Sequence, residues 1–163
     1  MVTTTGPGTT QLHIGADHTH VATPHGAMVL NLGSAKTARA FFKHMAPTPL
    51  EMENAIMAVE DEVVRAEALA HPACPLHTSD PAIREIALLA GVADSAHMEL
   101  SVDAVERQFD LLAAYTLGRP ATSAGIPTDL AFAANLLILR EFMHHLKFPS
   151  ITVDTPVQAP AQP

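Results

Sequence analysis

The sequence has 163 residues, 48% of them hydrophobic and only 16% charged, against about 25% charged in an ordinary domain. That length predicts one domain with a core burying roughly two thirds of the unfolded surface, and the composition excludes a disordered chain. Nine Lys and Arg against 17 Asp and Glu give a formal charge of −8 with no basic run, which excludes a generic nucleic-acid binder or a polybasic membrane anchor.

The start, residues 1–10, is Thr/Gly/Pro-rich and predicts a flexible N-terminus without a secretory leader. Gln11-Leu-His-Ile14 alternates and reads as a strand, followed by a turn at Gly15-Ala-Asp-His18 and a short strand, His20 to Thr23. Ala27 to Leu32 is a nearly continuous apolar run and predicts a third, more buried strand. Short turns between the three imply an antiparallel meander.

Helices follow. Ser34 is placed to cap a short helix running through Phe41 to His44. Thr48-Pro-Leu-Glu51 is a helix start, with Thr48 at N-cap, Pro49 at N1 and Glu51 at N3 completing a capping box. Met52, Ile56, Val59 and Val63 mark its buried face, and Glu60-Asp-Glu62 reads as a solvated one. Leu76 to Thr78 reads as a brief strand. Asp80 caps a helix opened by Pro81 and ended by Gly91. Ser101 caps a helix ending near Gly118, and 119–127 reads as a loop. Thr128 or Asp129 opens the longest helix, with Phe132, Leu136, Leu139, Met143 and Leu146 in register. Ser150 to Val153 is a last strand, and 155–163 a disordered Pro-rich tail. Strands first, then strands linked by helices, imply a mixed α/β sheet with helices packed on it, as one domain over 11–154.

Several side chains suggest chemistry. His13, His18, His20 and His25 cluster around the first hairpin, and His13, His18 and His20 suit a divalent metal such as zinc. His144-His145 complement the C-terminus of the longest helix. Met52, Met57, Met98 and Met143 read as core. The single cysteine, Cys74, between Pro72 and Pro75, makes a poor nucleophile and is consistent with a reducing, cytoplasmic setting.

Three stretches carry a family resemblance. They are Ile14-Gly15 with Leu30-Asn-Leu-Gly33 and Thr48-Pro-Leu-Glu51; Asp80-Pro-Ala-Ile-Arg84 running to Gly91; and Met98-Glu-Leu-Ser101 through Gly118-Arg-Pro and Gly125-Ile-Pro-Thr-Asp129 to Ile151-Thr-Val153. In that order they resemble the second half of the catalytic core of the exopolyphosphatase / guanosine pentaphosphatase (Ppx/GppA) family. The resemblance implies a ribonuclease-H-like (actin-like ATPase) domain, and in the family two such halves enclose the active site. The family's D-I-G-G-G-S-T-E loop falls on His13 to His20, where only Ile14, Gly15 and Thr19 match. Its G-T-G-G-T-I-R loop falls on Thr78 to Arg84, where Ile83 and Arg84 match. Its R-A-D falls on Pro127-Thr-Asp129, and a helix glycine on Ala134.

The phosphate-loop equivalents are therefore Gly15, Ala16, Asp17, His18, Thr19, Ser79, Asp80, Arg84 and Asp129. Asp17 and Asp80 place negative charge where a phosphate would lie, and Pro81 removes an amide donor. The first half, which in the family supplies the other phosphate loop and a catalytic acid, has no counterpart in the sequence. The resemblance thus implies a relative that has lost phosphohydrolase activity and acts as a binding or structural domain, expected as a homodimer. Two alternatives stand beside it. One is a phosphoanhydride hydrolase using a divalent metal such as magnesium, completed by a partner subunit, with Arg84 binding the phosphate, Thr19 donating to it and Asp129 holding a helix start or the metal. The other is a sensor of a small ligand or metal, for which a small phosphorylated ligand is one partner.

Overall fold

A computed structural model describes residues 8–156; most of the Thr/Gly/Pro start and the tail from 157 lie outside the described residues. The meander is present: β1 (Thr10–Ile14), β2 (Thr19–Thr23) and β3 (Gly26–Leu30) pair antiparallel, with Leu12 opposite Val21 and Val21 opposite Met28. The chain then runs through α1 (Ser34–Phe41), α2 (Pro49–Val63) with a 3-10 turn at Val64–Ala68, β4 (Leu76–Thr78), α3 (Pro81–Leu89) and β5 (His97–Ser101). It ends with α4 (Val102–Thr116), α5 (Ala121–Ala124), α6 (Leu130–His145) and β6 (Ser150–Asp154). The six strands form one mixed sheet in the order β3-β2-β1-β4-β6-β5, parallel at β1–β4 and β4–β6 and antiparallel elsewhere. No described helix is long and apolar enough to cross a membrane.

Alternation along the strands sorts the sheet into two faces. One carries Leu12, Ile14, Val21, Leu30, Leu76, Met98, Leu100, Ile151 and Val153, all buried. The other carries Gln11, His13, His20, Val29, His77, Thr152, Asp154, His97 and Glu99, exposed or half-buried. Helices α1, α2, α3 and α4 all pack on α6, which is buried on nearly every side from Phe132 to Met143. An all-round apolar helix of this kind belongs at the centre of a core.

The capping box at Thr48 forms as the sequence predicts: Thr48 Oγ1 accepts from the Glu51 amide at 3.1 Å, and Glu51 Oε1 accepts from the Thr48 amide at 3.1 Å. Ser101 and Asp129 cap α4 and α6, accepting from the amides of Ala104 and Ala131.

Five expectations change. The apolar run at 27–32 is not a buried strand: β3 is the sheet edge, and Ala27 and Val29 face outward. The N-cap of α1 is Gly33 rather than Ser34, and the helix stops at Phe41. Met57 is 60% exposed rather than core. The segment before Ser101, to which the sequence reading assigns no element, is a strand, β5, and Ser101 is both its last residue and the cap of α4. A short helix, α5, also occupies part of the 119–127 loop. Beyond β6, Thr155 still donates its amide to the Ala96 carbonyl at 2.9 Å.

Candidate functional site

The parallel pairing of β1 and β4 brings their C-terminal ends side by side, and the loops at 15–18 and 79–80 leave from there. Such strand ends are where open α/β sheets bind ligands. Within the first loop the Gly15 amide donates to the His18 carbonyl at 2.9 Å, and a side chain at Gly15 would put its Cβ 2.7 Å from that oxygen. Only glycine permits so tight a turn.

The loop's own carbonyls lie against the start of α1. Gly15 O accepts from the Ser34 amide, and Ala16 O accepts from the amides of Ala35 and Lys36, each at 3.0 Å. Gly33 permits this approach, since a Cβ there would meet Ala16 O at 2.4 Å and Asp17 C at 2.6 Å. The first amides of a helix are its anion-binding end. In α1 they are satisfied from within the chain.

Asp80 joins the two loops. It stands at the N-cap of α3 but makes no side-chain cap bond, contrary to the reading of Asp80 as a capping carboxylate. One carboxylate oxygen instead accepts from the buried Ile14 amide at 2.7 Å. The other lies 2.5 Å from His13 Nδ1. The reason is position: β4 delivers Asp80 beside the last residue of β1, whose amide has no strand partner there. The Asp80 side chain is 8% exposed and that of His13 61%. His13 also stacks on His20 across the hairpin, with ring centroids 6.0 Å apart. Asp80 thus fixes one ring nitrogen of His13 and leaves Nε2, beside Gly15, able to hold a proton or a ligand.

The remaining phosphate-loop equivalents are engaged in the fold. Thr19 is fully buried and donates its hydroxyl to Leu32 O at 2.9 Å. Asp17 pairs with Arg39 at 2.9 Å on the surface. Ser79 and His18 are exposed. Arg84 bonds Asp94 and, at 3.2 Å, Ser95 O, while its Nη1 is buried without a partner. Asp129 caps α6. The structure therefore brings His13, Gly15 to Thr19, Ser79 and Asp80 to one end of the sheet, and holds Arg84 and Asp129 in other bonds.

His13, His18 and His20 do not form a cluster of metal-ligand atoms; among the described residues the one such trio is Glu60, Glu141 and His145. Sequence reading missed that trio because its members lie on two helices 81 residues apart. It also missed Asp154, whose carboxylate bonds His77 Nδ1 at 2.7 Å and His97 Nδ1 at 2.6 Å across three adjacent strands. Partial burial works to raise the pKa of Asp154, but the two imidazoles outweigh it and hold the carboxyl below its ordinary value.

No family model and no curated protein matches this sequence. Solved structures do. A PPX-GPPA enzyme of Aquifex aeolicus is 16% identical with a TM-score of 0.72, over 93% of this chain and 55% of that one. An exopolyphosphatase from Cytophaga hutchinsonii is 14% identical with a TM-score of 0.67, over 94% of this chain and 55% of its own. An exopolyphosphatase-like protein is 12% identical with a TM-score of 0.71, over 94% and 59%. The chain spans little more than half the length of these proteins, as one half of a two-half core would. The fold of this domain is that of the Ppx/GppA phosphatases, an actin-like α/β fold.

Proposed function

We propose that this domain does not hydrolyse phosphoanhydrides and serves as a binding or structural module in the cytoplasm. The observation that carries the reading is the sealing of the strand-end loops. The carbonyls of Gly15 and Ala16 occupy the first amides of α1, and Asp80 is locked between Ile14 and His13. Phosphoryl transfer needs amide donors, cations and a metal converging on the transferred group. This strand end offers carbonyls and carboxylates instead. Both oxygens of Asp80 are already bonded, so it is a poor ligand for magnesium. The formal charge of −8 adds a repulsion felt by any polyanion.

The module is proposed to act as a homodimer. Supporting this, an apolar groove between α2 and α4, lined by Met52, Ile56, Phe109 and Ala113, is flanked by Leu50, Met57 and Leu117, which are 60% exposed or more. Exposed apolar patches of this kind commonly mark protein interfaces. A monomer by light scattering at micromolar concentration contradicts the dimer.

The activity test is phosphate release from long-chain polyphosphate with magnesium, for the protein alone and with cell extract. The expected result is release equal to the blank. Release by the protein that Arg84→Ala abolishes would overturn the reading in favour of a hydrolase completed by a partner.

A further inference from the structure

The geometry points to a divalent-metal site of the zinc class, held by Glu60, Glu141 and His145 where α2 meets the last turn of α6. It is separate from the strand-end loops and uses none of their residues.

Three observations support it. The first is spacing. His145 Nε2 lies 3.1 Å from Glu141 Oε2 and 3.2 Å from Glu60 Oε1, and all three ligand atoms fall within 4.8 Å of one another. Ligand bonds of about 2.0–2.1 Å at tetrahedral angles place donor atoms about 3.3 Å apart. Glu141 and His145 are four residues apart on α6, so one helix face presents two ligands together. Glu60 supplies the third from α2.

The second is charge. Glu141 is 1% exposed, and a buried carboxylate requires compensation. Arg140 Nη1 bonds Glu141 Oε1 at 2.6 Å, but the same guanidinium also bonds both oxygens of Glu106, at 3.1 and 3.2 Å. That guanidinium is the one Arg or Lys paired with Glu106 and Glu141, and Glu60 pairs with no Arg or Lys among the described residues, so three carboxylates share one permanent cation and carry a surplus of two negative charges. A divalent cation cancels that surplus.

The third is the shell around the ligands. Arg140 lies 4.5 Å over the Phe109 ring and fixes the Glu141 oxygen that faces away from the trio. Such outer bonds orient metal-binding carboxylates. Glu60 and His145 are partly exposed, so water has access to a fourth position. One imidazole with two carboxylates suits zinc, cobalt or manganese better than magnesium or calcium, which favour all-oxygen shells.

The test uses tag-free protein stripped with a chelator, then dialysed against zinc, with bound metal counted. The expected result is one zinc per chain, a rise in melting temperature on zinc addition, and visible absorption from tetrahedral cobalt in its place. Glu60→Gln and His145→Ala, each checked by circular dichroism for intact fold, should each weaken zinc binding by at least tenfold. The double variant His13→Ala/His20→Ala should bind as the unaltered chain does. Absence of uptake, or uptake lost in the hairpin variant but kept in Glu60→Gln and His145→Ala, overturns the assignment. Neither outcome depends on whether polyphosphate is hydrolysed.

Discussion

Replacing Asp80 tests how the two strand-end loops are held together. In Asp80→Ala the Ile14 amide, buried at the end of β1, loses its acceptor, and an orphaned buried donor costs about 1–3 kcal/mol. The same change removes the pair with His13, but His13 is mostly exposed, so that pair adds no more than about 1 kcal/mol. The total loss expected is about 1–4 kcal/mol, or about 2–16 °C in melting temperature for a domain of this size. Asp80→Asn retains an oxygen for the Ile14 amide and should cost about 1 kcal/mol. His13→Ala should cost less than about 1 kcal/mol, since it leaves the amide bond untouched. Urea unfolding of the three variants measures all of this through the transition midpoint. If Asp80→Ala lies within about 0.5 kcal/mol of the unaltered protein, or if His13→Ala is as damaging, the clamp does not hold the loops.

Three further outcomes follow from the packing. Gly33→Ala should destabilise by about 2–3 kcal/mol in urea unfolding, because its Cβ meets the Ala16 backbone at 2.4 Å and the loop can yield only by losing bonds to α1. Gly118→Ala meets nothing within 4 Å and carries only the strain of a φ of +102°, so about 1–2 kcal/mol is expected there. Leu137→Ala, at a fully buried position of α6, should cost about 2–5 kcal/mol by the same measurement. Glu51 carries a pH signature. Partial burial pushes its pKa up, but the amides of Lys43 and Thr48 and the ring of His44 outweigh that and pull it from 4.5 to about 2. The folded value is the lower one, so its stabilisation is complete above 4.5 and is lost as pH falls toward about 2. Unfolding midpoints followed over that window should fall more steeply for the unaltered protein than for Glu51→Gln.

The meander, the capping box at Thr48 and the buried face of α6 were legible because each rests on a local pattern: period-2 alternation, a Thr-Pro-x-Glu start, apolar residues three and four apart. Strand β5 was less so. Its pattern, His97-Met-Glu-Leu-Ser101, does alternate, but it is five residues long and Ser101 also caps the next helix, so the cap signal masked the strand. The apolar run at 27–32 misled for a related reason: apolar side chains on an edge strand look the same in sequence as those on a central one. The resemblance in segment order marked the loops at 15–20 and 78–84 as equivalents of the phosphate loops and left open whether they meet. What joins them was not legible. Asp80 sits where a helix cap belongs, and only the adjacency of β4 to β1 turns its carboxylate toward Ile14. The Glu60, Glu141 and His145 trio likewise depends on how α2 lies against α6.

The central claim is that the loop after β1 no longer takes phosphate. Its most direct test is a titration of the isotope-labelled protein with tripolyphosphate, with and without magnesium, following the backbone amide resonances of Ala16, Asp17, His18 and Asp80. The sealed loop predicts that these resonances do not move in a saturable way. Saturable shifts confined to these four amides would contradict it.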